Sequence, residues 1–239
     1  MLKSNFSMNR IFIKDTFLAI TIFFLMISFP SCKKETIMLP PDLGEKYFPI
    51  KQGSWISYKV DSIVWNNFYT PVKIDTFSFY LKMKIDSQYT DNEGRTIYYY
   101  RKYYSLTNSN WQLSKNYSIN KTAQRIETFE ENYTYIKMVF PVKNSTIWDM
   151  NAFNIFDKTE SYFQNYDVSK TYNGEFFDSC AVVNHQNLET LISKNYHEEV
   201  YGKNIGLLYK KLIKIEKAIN GTWNNGVSCT YSIVGRGQD

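Results

Sequence analysis

The chain has 239 residues with 28 Lys and Arg against 23 Asp and Glu, and its net charge of +5 falls to +3 without residues 1–31. A charge this small argues against nucleic acid as a partner, because such binding calls for a clustered basic face. Aromatic residues make up 18% of the chain, mostly Tyr and Phe, and both favour strands. The composition therefore predicts one mainly β domain.

The N-terminus has the features of a secretory signal. Basic residues Lys3, Arg10 and Lys14 precede thirteen uncharged residues at 17–29. This run is too short to span a bilayer, which takes about 20 apolar residues, and it fits the apolar region of a signal peptide. Residues 1–31 are therefore assigned to a signal peptide. The alternatives are an ordinary secreted protein with an incidental cysteine and a single-pass anchor.

The residues "FPSC" at 29–32 place a cysteine directly after the apolar run and a small residue. They resemble the lipobox of bacterial lipoproteins, although Phe29 stands where that family usually has Leu. The resemblance implies cleavage before Cys32 and acylation of its thiol, for example with palmitate. Two or more acyl chains hold a protein stably at a membrane. The expected location is therefore the cell envelope, as an outer-membrane lipoprotein facing either the periplasm or the surface.

Residues 32–45 contain two prolines, a glycine and several charges, which predicts a flexible tether before a single β-rich domain at 46–239. The clearest element of this domain is an alternating run with its apolar side chains on one face. These are Phe77, Phe79, Leu81, Met83 and Ile85. Strict alternation of this kind is typical of a half-buried antiparallel strand.

The remaining pattern predicts about ten short strands. The turn "DNEG" at 91–94 joins the alternating run to "RTIYYYRKYYS" as a hairpin. Residues 143–160 are expected to be irregular and anchored by Trp148 and Phe153. Residues 197–217 fit a strand or a helix, and the β-branched residues favour a strand. Further strands are predicted at 110–118, 123–130, 133–140, 162–171, 177–184 and 226–235. The expected fold is all-β or mostly β: an antiparallel sandwich, barrel or strongly curved sheet.

Three stretches, 47–65, 136–154 and 199–211, read "YFPIKQGSWISYKVDSIVW", "IKMVFPVKNSTIWDMNAFN" and "EVYGKNIGLLYKK". They resemble a family of uncharacterised Bacteroidota envelope lipoproteins. The resemblance implies a shared β-rich fold. It brings no activity, substrate or site with it.

The sequence offers little catalytic chemistry. It has two histidines, His185 and His197, and no nucleophile motif for either to serve as a base. In a strand His197 and Glu199 would share a face, but two ligands alone do not specify a metal, and a polar strand face is the favoured interpretation. We therefore predict no catalytic residues, no metal site and no cofactor.

Several acidic residues could in principle supply the carboxylate pair of a glycoside hydrolase. Clustered acids are mostly solvated faces, so this alternative is the least favoured. The candidate acids are Glu127, Glu130, Glu131, Glu198 and Glu199.

Two further groups of residues have open interpretations. If Cys32 is acylated, Cys180 and Cys229 remain as a pair, and they could form a disulfide or pack as buried thiols. Tyr98, Tyr100 and Tyr104 share one strand face, which could stack against sugars or peptides or simply pair within the sheet.

The favoured hypothesis for function is a lipid-anchored, non-enzymatic β domain that binds a ligand or partner. An envelope protein or a glycan is the expected partner, besides the membrane that holds the lipid anchor. The alternative is a structural or accessory envelope component without a small-molecule site.

Overall fold

The computed structural model describes residues 41–239. The predicted signal peptide and Cys32 lie outside these residues. In the described part, the regular secondary structure is β apart from one 3-10 turn at Glu45–Tyr47. No helical segment between residues 41 and 239 has the length and apolar character to cross a membrane.

Twelve strands form a single antiparallel sheet. They are β1 (Ser54–Asn66), β2 (Lys73–Thr90), β3 (Thr96–Ser105), β4 (Gln112–Lys121), β5 (Arg125–Glu130), β6 (Tyr133–Val139), β7 (Ile147–Asp149), β8 (Glu160–Tyr172), β9 (Glu175–Glu189), β10 (Ser193–Gly202), β11 (Gly206–Lys217) and β12 (Trp223–Gln238). Their order in the sheet is β6-β5-β4-β3-β2-β1-β12-β11-β10-β9-β8-β7. The chain thus forms two six-strand meanders that join where β1 pairs with β12.

The two outer strands, β6 and β7, meet each other. The amide of Ile136 donates to the carbonyl of Met150 at 2.9 Å, and the indole N–H of Trp148 donates to the carbonyl of Ile136 at 3.0 Å. The sheet therefore curves round into a nearly closed, barrel-like ring. This confirms the prediction of an all-β, strongly curved antiparallel fold.

Twelve strands are present where about ten were predicted. Residues 197–217 divide into β10 and β11 around a turn in which Asn204 (φ 63°) and Gly206 (φ 105°) adopt positive φ. The short strand β7 lies in the stretch predicted to be irregular. Trp148 is buried there, as predicted, but Phe153 is not an anchor: half of it is exposed. Its ring lies 4.7 Å from the guanidinium of Arg125, on the protein surface.

The domain begins earlier than predicted, because residues 42–45 belong to it and not to the tether. The Asp42 carboxylate accepts a hydrogen bond from the Gly44 amide at 2.9 Å, and the Leu43 carbonyl accepts one from the Val142 amide at 2.9 Å. The compact unit runs from Asp42 to Asp239.

The core lies inside the curve of the sheet. Leu81 and Ile85 are buried, as the alternation of β2 predicts, while Phe77 near the beginning of the strand is exposed. The largest hydrophobic cluster joins strands of both meanders, and its members include Ile119, Ile126, Met138, Phe163 and Val183. The two halves therefore pack against each other, which holds the sheet in its curved form.

The structure contradicts the disulfide alternative for Cys180 and Cys229, since both are free thiols. Cys180 lies opposite Gly202, whereas Cys229 lies opposite Leu212. Two strands stand between the cysteines, and neighbouring strands are about 4.8 Å apart. Disulfide geometry needs Cα atoms within about 7 Å, so these two cannot bond. Cys180 instead packs in a hydrophobic cluster, as a small apolar side chain.

Candidate functional site: an inner cavity with a buried polar cluster

A cavity of about 500 Å³ lies on the inner side of the sheet. This volume falls within the range of about 300–1,000 Å³ that is usual for small-molecule sites. Apolar residues of β1, β2, β4 and β11 form part of its wall. Five tyrosines and six charged residues also line it: Tyr58, Tyr100, Tyr117, Tyr201, Tyr231, Lys102, Glu130, Lys137, Glu199, Lys210 and Arg236.

The Glu199 carboxylate is the centre of a buried hydrogen-bond cluster. One oxygen, Oε2, accepts from His185 Nε2 at 3.1 Å and from the Tyr201 hydroxyl at 2.5 Å. The other, Oε1, accepts from His197 Nε2 at 3.2 Å and from Lys210 Nζ at 3.0 Å. Only 2% of Glu199 is exposed, and a buried charge of this kind persists only when it is paired and hydrogen-bonded.

Strand alternation brings most of this cluster together. His197, Glu199 and Tyr201 are alternate residues of β10, so their side chains point to the same, inner face. Lys210 is directly opposite Glu199 on β11. Strand alternation predicts the shared face of His197 and Glu199. The position of Lys210 could not be predicted, because the register of β10 and β11 cannot be read from either strand alone.

His185 reaches the cluster through a β-bulge. In the pairing of β9 with β10, Gln186 lies opposite His197 and Asn184 opposite Glu198, which leaves His185 as the extra residue. A bulge inserts one residue into a strand and re-aims side chains there. No sequence signal marks this bulge, so the contact of His185 with Glu199 could not be predicted from the sequence.

Both imidazoles are neutral at pH 7, and Glu199 is ionised. Burial, with the charge of Lys210, lowers the pKa of His197 to about 3, and burial also lowers the pKa of His185. Burial alone would raise the pKa of Glu199, but Lys210 and Lys137 outweigh it and hold that pKa well below its usual range. The contacts of the two histidines with Glu199 are therefore hydrogen bonds and not ion pairs.

The cluster also has the donor set of a metal site. His185, His197 and Glu199 offer ligand atoms that lie within 4.8 Å of one another, and two His with one Glu occur in catalytic zinc centres. The positive charges of two ammonium groups would repel a metal cation here. Lys210 forms an ion pair with the same carboxylate, and the charge of Lys137 also lowers the pKa of that carboxyl group. The arrangement fits a carboxylate neutralised by lysines better than a metal centre.

Glu130 and Lys137 form a second ion pair in the cavity wall, with 3.2 Å between Lys137 Nζ and the carboxylate. The Thr128 hydroxyl donates to the same carboxylate at 2.8 Å. Burial raises the pKa of Glu130, but Lys137 and Lys210 outweigh it, so that this pKa is lowered overall. Glu130 is therefore ionised at neutral pH.

Of the five acids considered for glycoside hydrolysis, Glu130 and Glu199 line this cavity. Such hydrolysis requires one carboxylic acid that stays protonated through a raised pKa. The pKa values of both carboxyl groups are lowered instead. The other three acids are bonded outside the cavity: Glu127 to Arg125, Glu131 to Lys115 and Glu198 to Tyr196.

The tyrosine face of β3 turns inward and not to solvent. Tyr100 lines the cavity together with Lys102. Tyr98 packs against the largest hydrophobic cluster, and Tyr104 packs against Phe79 with 5.4 Å between ring centroids. A binding role for this face stays a prediction, and within the cavity it falls to Tyr100.

No protein-family model matches the chain, and no curated protein matches it. Two solved structures are similar over most of their length. One, described as an exported protein with a YmcC-like fold from Bacteroides fragilis, is 12% identical with a TM-score of 0.39, covering 80% of this chain and 98% of its own. The other, described as a lipoprotein from Parabacteroides distasonis, is 8% identical with a TM-score of 0.35, covering 83% of this chain and 100% of its own.

Proposed function

We propose that the protein is a lipid-anchored domain of the cell envelope that binds a small ligand in its inner cavity without converting it. The cavity of about 500 Å³ is the observation that carries this proposal. Tyrosine suits such a lining, because its ring offers apolar contact and its hydroxyl a hydrogen bond. The predicted signal peptide and Cys32 support the anchor and the location.

The state of the polar groups supports binding without catalysis. A general acid or base must be free to exchange a proton with a substrate at a pKa near the working pH. Glu199 is occupied by four hydrogen bonds, and the pKa of His197, at about 3, lies far below neutrality. A hydrolase would become the better hypothesis if glycoside cleavage were detected and abolished by Glu130→Gln.

The cavity is tested with N-phenyl-1-naphthylamine, an uncharged dye that fluoresces on entering an apolar site. We expect saturable binding to residues 36–239. Met83→Trp is expected to weaken this binding about tenfold or more. Met83 is a half-buried residue of the cavity wall, and the larger indole would occupy part of the cavity. Leu113→Trp, on the exposed surface of β4, is the matched control and should bind as the wild type does. Equal binding by all three proteins would contradict the proposal.

The anchor is tested by metabolic labelling with palmitate in a bacterial host that processes lipoproteins. Wild-type protein is expected to take up label, and Cys32→Ala to lose it. Cys229→Ala serves as the control, since it removes a different free thiol and should leave labelling intact. Label retained in Cys32→Ala would refute the lipid anchor.

A further inference from the structure

We infer that the ligand of this cavity is an amphiphilic anion, with a carboxylate or sulfonate group bound between Lys102 and Lys210 and an apolar body along the wall. The inference rests on the proposed function and names the chemical class of its ligand. It is carried by the balance of charge in the cavity, by the position of Lys102 and by the apolar wall beside it.

The charges in the inner wall do not cancel. Two of its three ammonium groups have their own carboxylates: Lys137 pairs with Glu130 at 3.2 Å, and Lys210 with Glu199 at 3.0 Å. The third belongs to Lys102 and leaves one positive charge over. The cavity therefore lacks one negative charge, which a ligand with a single anionic group would supply.

A fourth cation, Arg236, also reaches the cavity. Its side chain is 43% exposed and its guanidinium pairs with Glu175 at 2.7 Å, so its charge is already balanced without a ligand. The excess charge is therefore assigned to Lys102.

The ammonium group of Lys102 has no hydrogen bond or ion pair with any residue in the described range 41–239. Its neighbours across β2 and β4 are Met83 and Lys115, and neither offers a side-chain oxygen. Lys102 is half-buried, and a charge removed from water without a partner is costly. Burial and the nearby charge of Lys210 both lower the pKa of Lys102. An anion placed beside these two ammonium groups would accept a hydrogen bond from Lys102 and reduce their repulsion.

The rest of the wall selects an amphiphile over a small inorganic anion. Half-buried Ile56, Met83 and Leu207 line the same cavity as Lys102, and they come from β1, β2 and β11. Each Å² of apolar surface that is removed from water contributes about 25 cal/mol to the free energy of binding. A ligand with an apolar body would therefore gain contact with these side chains, whereas sulfate or phosphate would leave them wet.

Two dyes with one skeleton test this directly. 8-Anilinonaphthalene-1-sulfonate is the sulfonated counterpart of N-phenyl-1-naphthylamine. We expect wild-type residues 36–239 to bind the sulfonate about tenfold more tightly than the neutral dye, as a charged hydrogen bond implies. Lys102→Met should remove most of this preference by weakening the binding of the sulfonate. Lys102→Arg should retain the preference.

Lys211→Gln is the matched control, because Lys211 is the next residue after Lys210 on β11 and does not line the cavity. It should behave as the wild type does. Equal affinity of the wild-type protein for the two dyes would overturn the inference of an anionic ligand. It would not contradict the proposal that the cavity binds a small ligand. Binding of neither dye would overturn both. The wild-type comparison stands even if Lys102→Met fails to fold, and circular dichroism of each variant checks its folding.

Discussion

Replacing Glu199 with Ala is expected to lower the free energy of unfolding by about 3–5 kcal/mol, the cost of breaking a buried ion pair from one side. The change removes the acceptor of four hydrogen bonds at once. Lys210 keeps its charge, while the donors of His185, His197 and Tyr201 lose their partner within the protein interior. Urea unfolding followed by tryptophan fluorescence measures the difference.

Glu198→Ala is the natural control for this experiment. Glu198 is the neighbouring residue on the other face of β10, and its carboxylate accepts from the Tyr196 hydroxyl at 2.7 Å. The expected loss is about 1 kcal/mol, the usual net worth of one hydrogen bond. The double variant Glu199→Leu with Lys210→Met should recover part of the loss, because it removes both charges together. A loss for Glu199→Ala no larger than that for Glu198→Ala would show that the cluster contributes little to stability.

Acidification from pH 7 to 5 is expected to cost about 2 kcal/mol of stability for each histidine that stays neutral in the folded protein. The folded pKa of His197 is about 3, against an ordinary value of 6.5. Between these two pH values the imidazole of His197 binds a proton in the unfolded chain but stays neutral in the folded protein. This part of the stability is therefore complete above pH 6.5 and falls as the pH falls. His185 acts in the same direction, since burial lowers its pKa too.

The pH effect can be assigned because the chain has two histidines in all. Replacing His197 with Asn should reduce the slope of stability against pH by about one proton, or about 1.4 kcal/mol per pH unit. Below about pH 4.5 Glu199 adds to the loss, because its folded pKa lies well below that of the unfolded chain. Unfolding free energies that agree at pH 5 and pH 7 would show that the buried histidines titrate normally.

The class of fold could be predicted from the local pattern of apolar and polar residues, because alternation along a strand is visible in consecutive residues. Leu81 and Ile85 are buried as that pattern predicts. The pattern could not show that the sheet closes on itself. For this reason the pattern could not show whether the tyrosine face of β3 lies inside or outside, and closure of the sheet places Tyr100 and Lys102 in the cavity wall. In a strand that is polar on both faces, only the tertiary fold decides which face is inside.

The candidate site was predictable only within one strand. Alternation placed His197 and Glu199 together, and the structure keeps them together. The position of Lys210 beside Glu199 depends on the register between two strands. The position of His185 depends on a β-bulge that no residue type predicts. The fate of Cys180 and Cys229 likewise depended on the number of strands between them. Each of these facts joins residues that are far apart in sequence, which composition and spacing do not encode.

The pairing of β1 with β12 places β12, the last strand of the described residues, in the interior of the sheet. Truncation at the C-terminus would therefore remove an interior strand and not an edge, along with Gly237 and Gln238 of the cavity wall. During synthesis one side of the β1 backbone stays unpaired until β12 emerges. Exposed strand edges invite pairing with other chains. The growing polypeptide is therefore most prone to aggregation after β11 has emerged and before β12, which joins the two halves, is available.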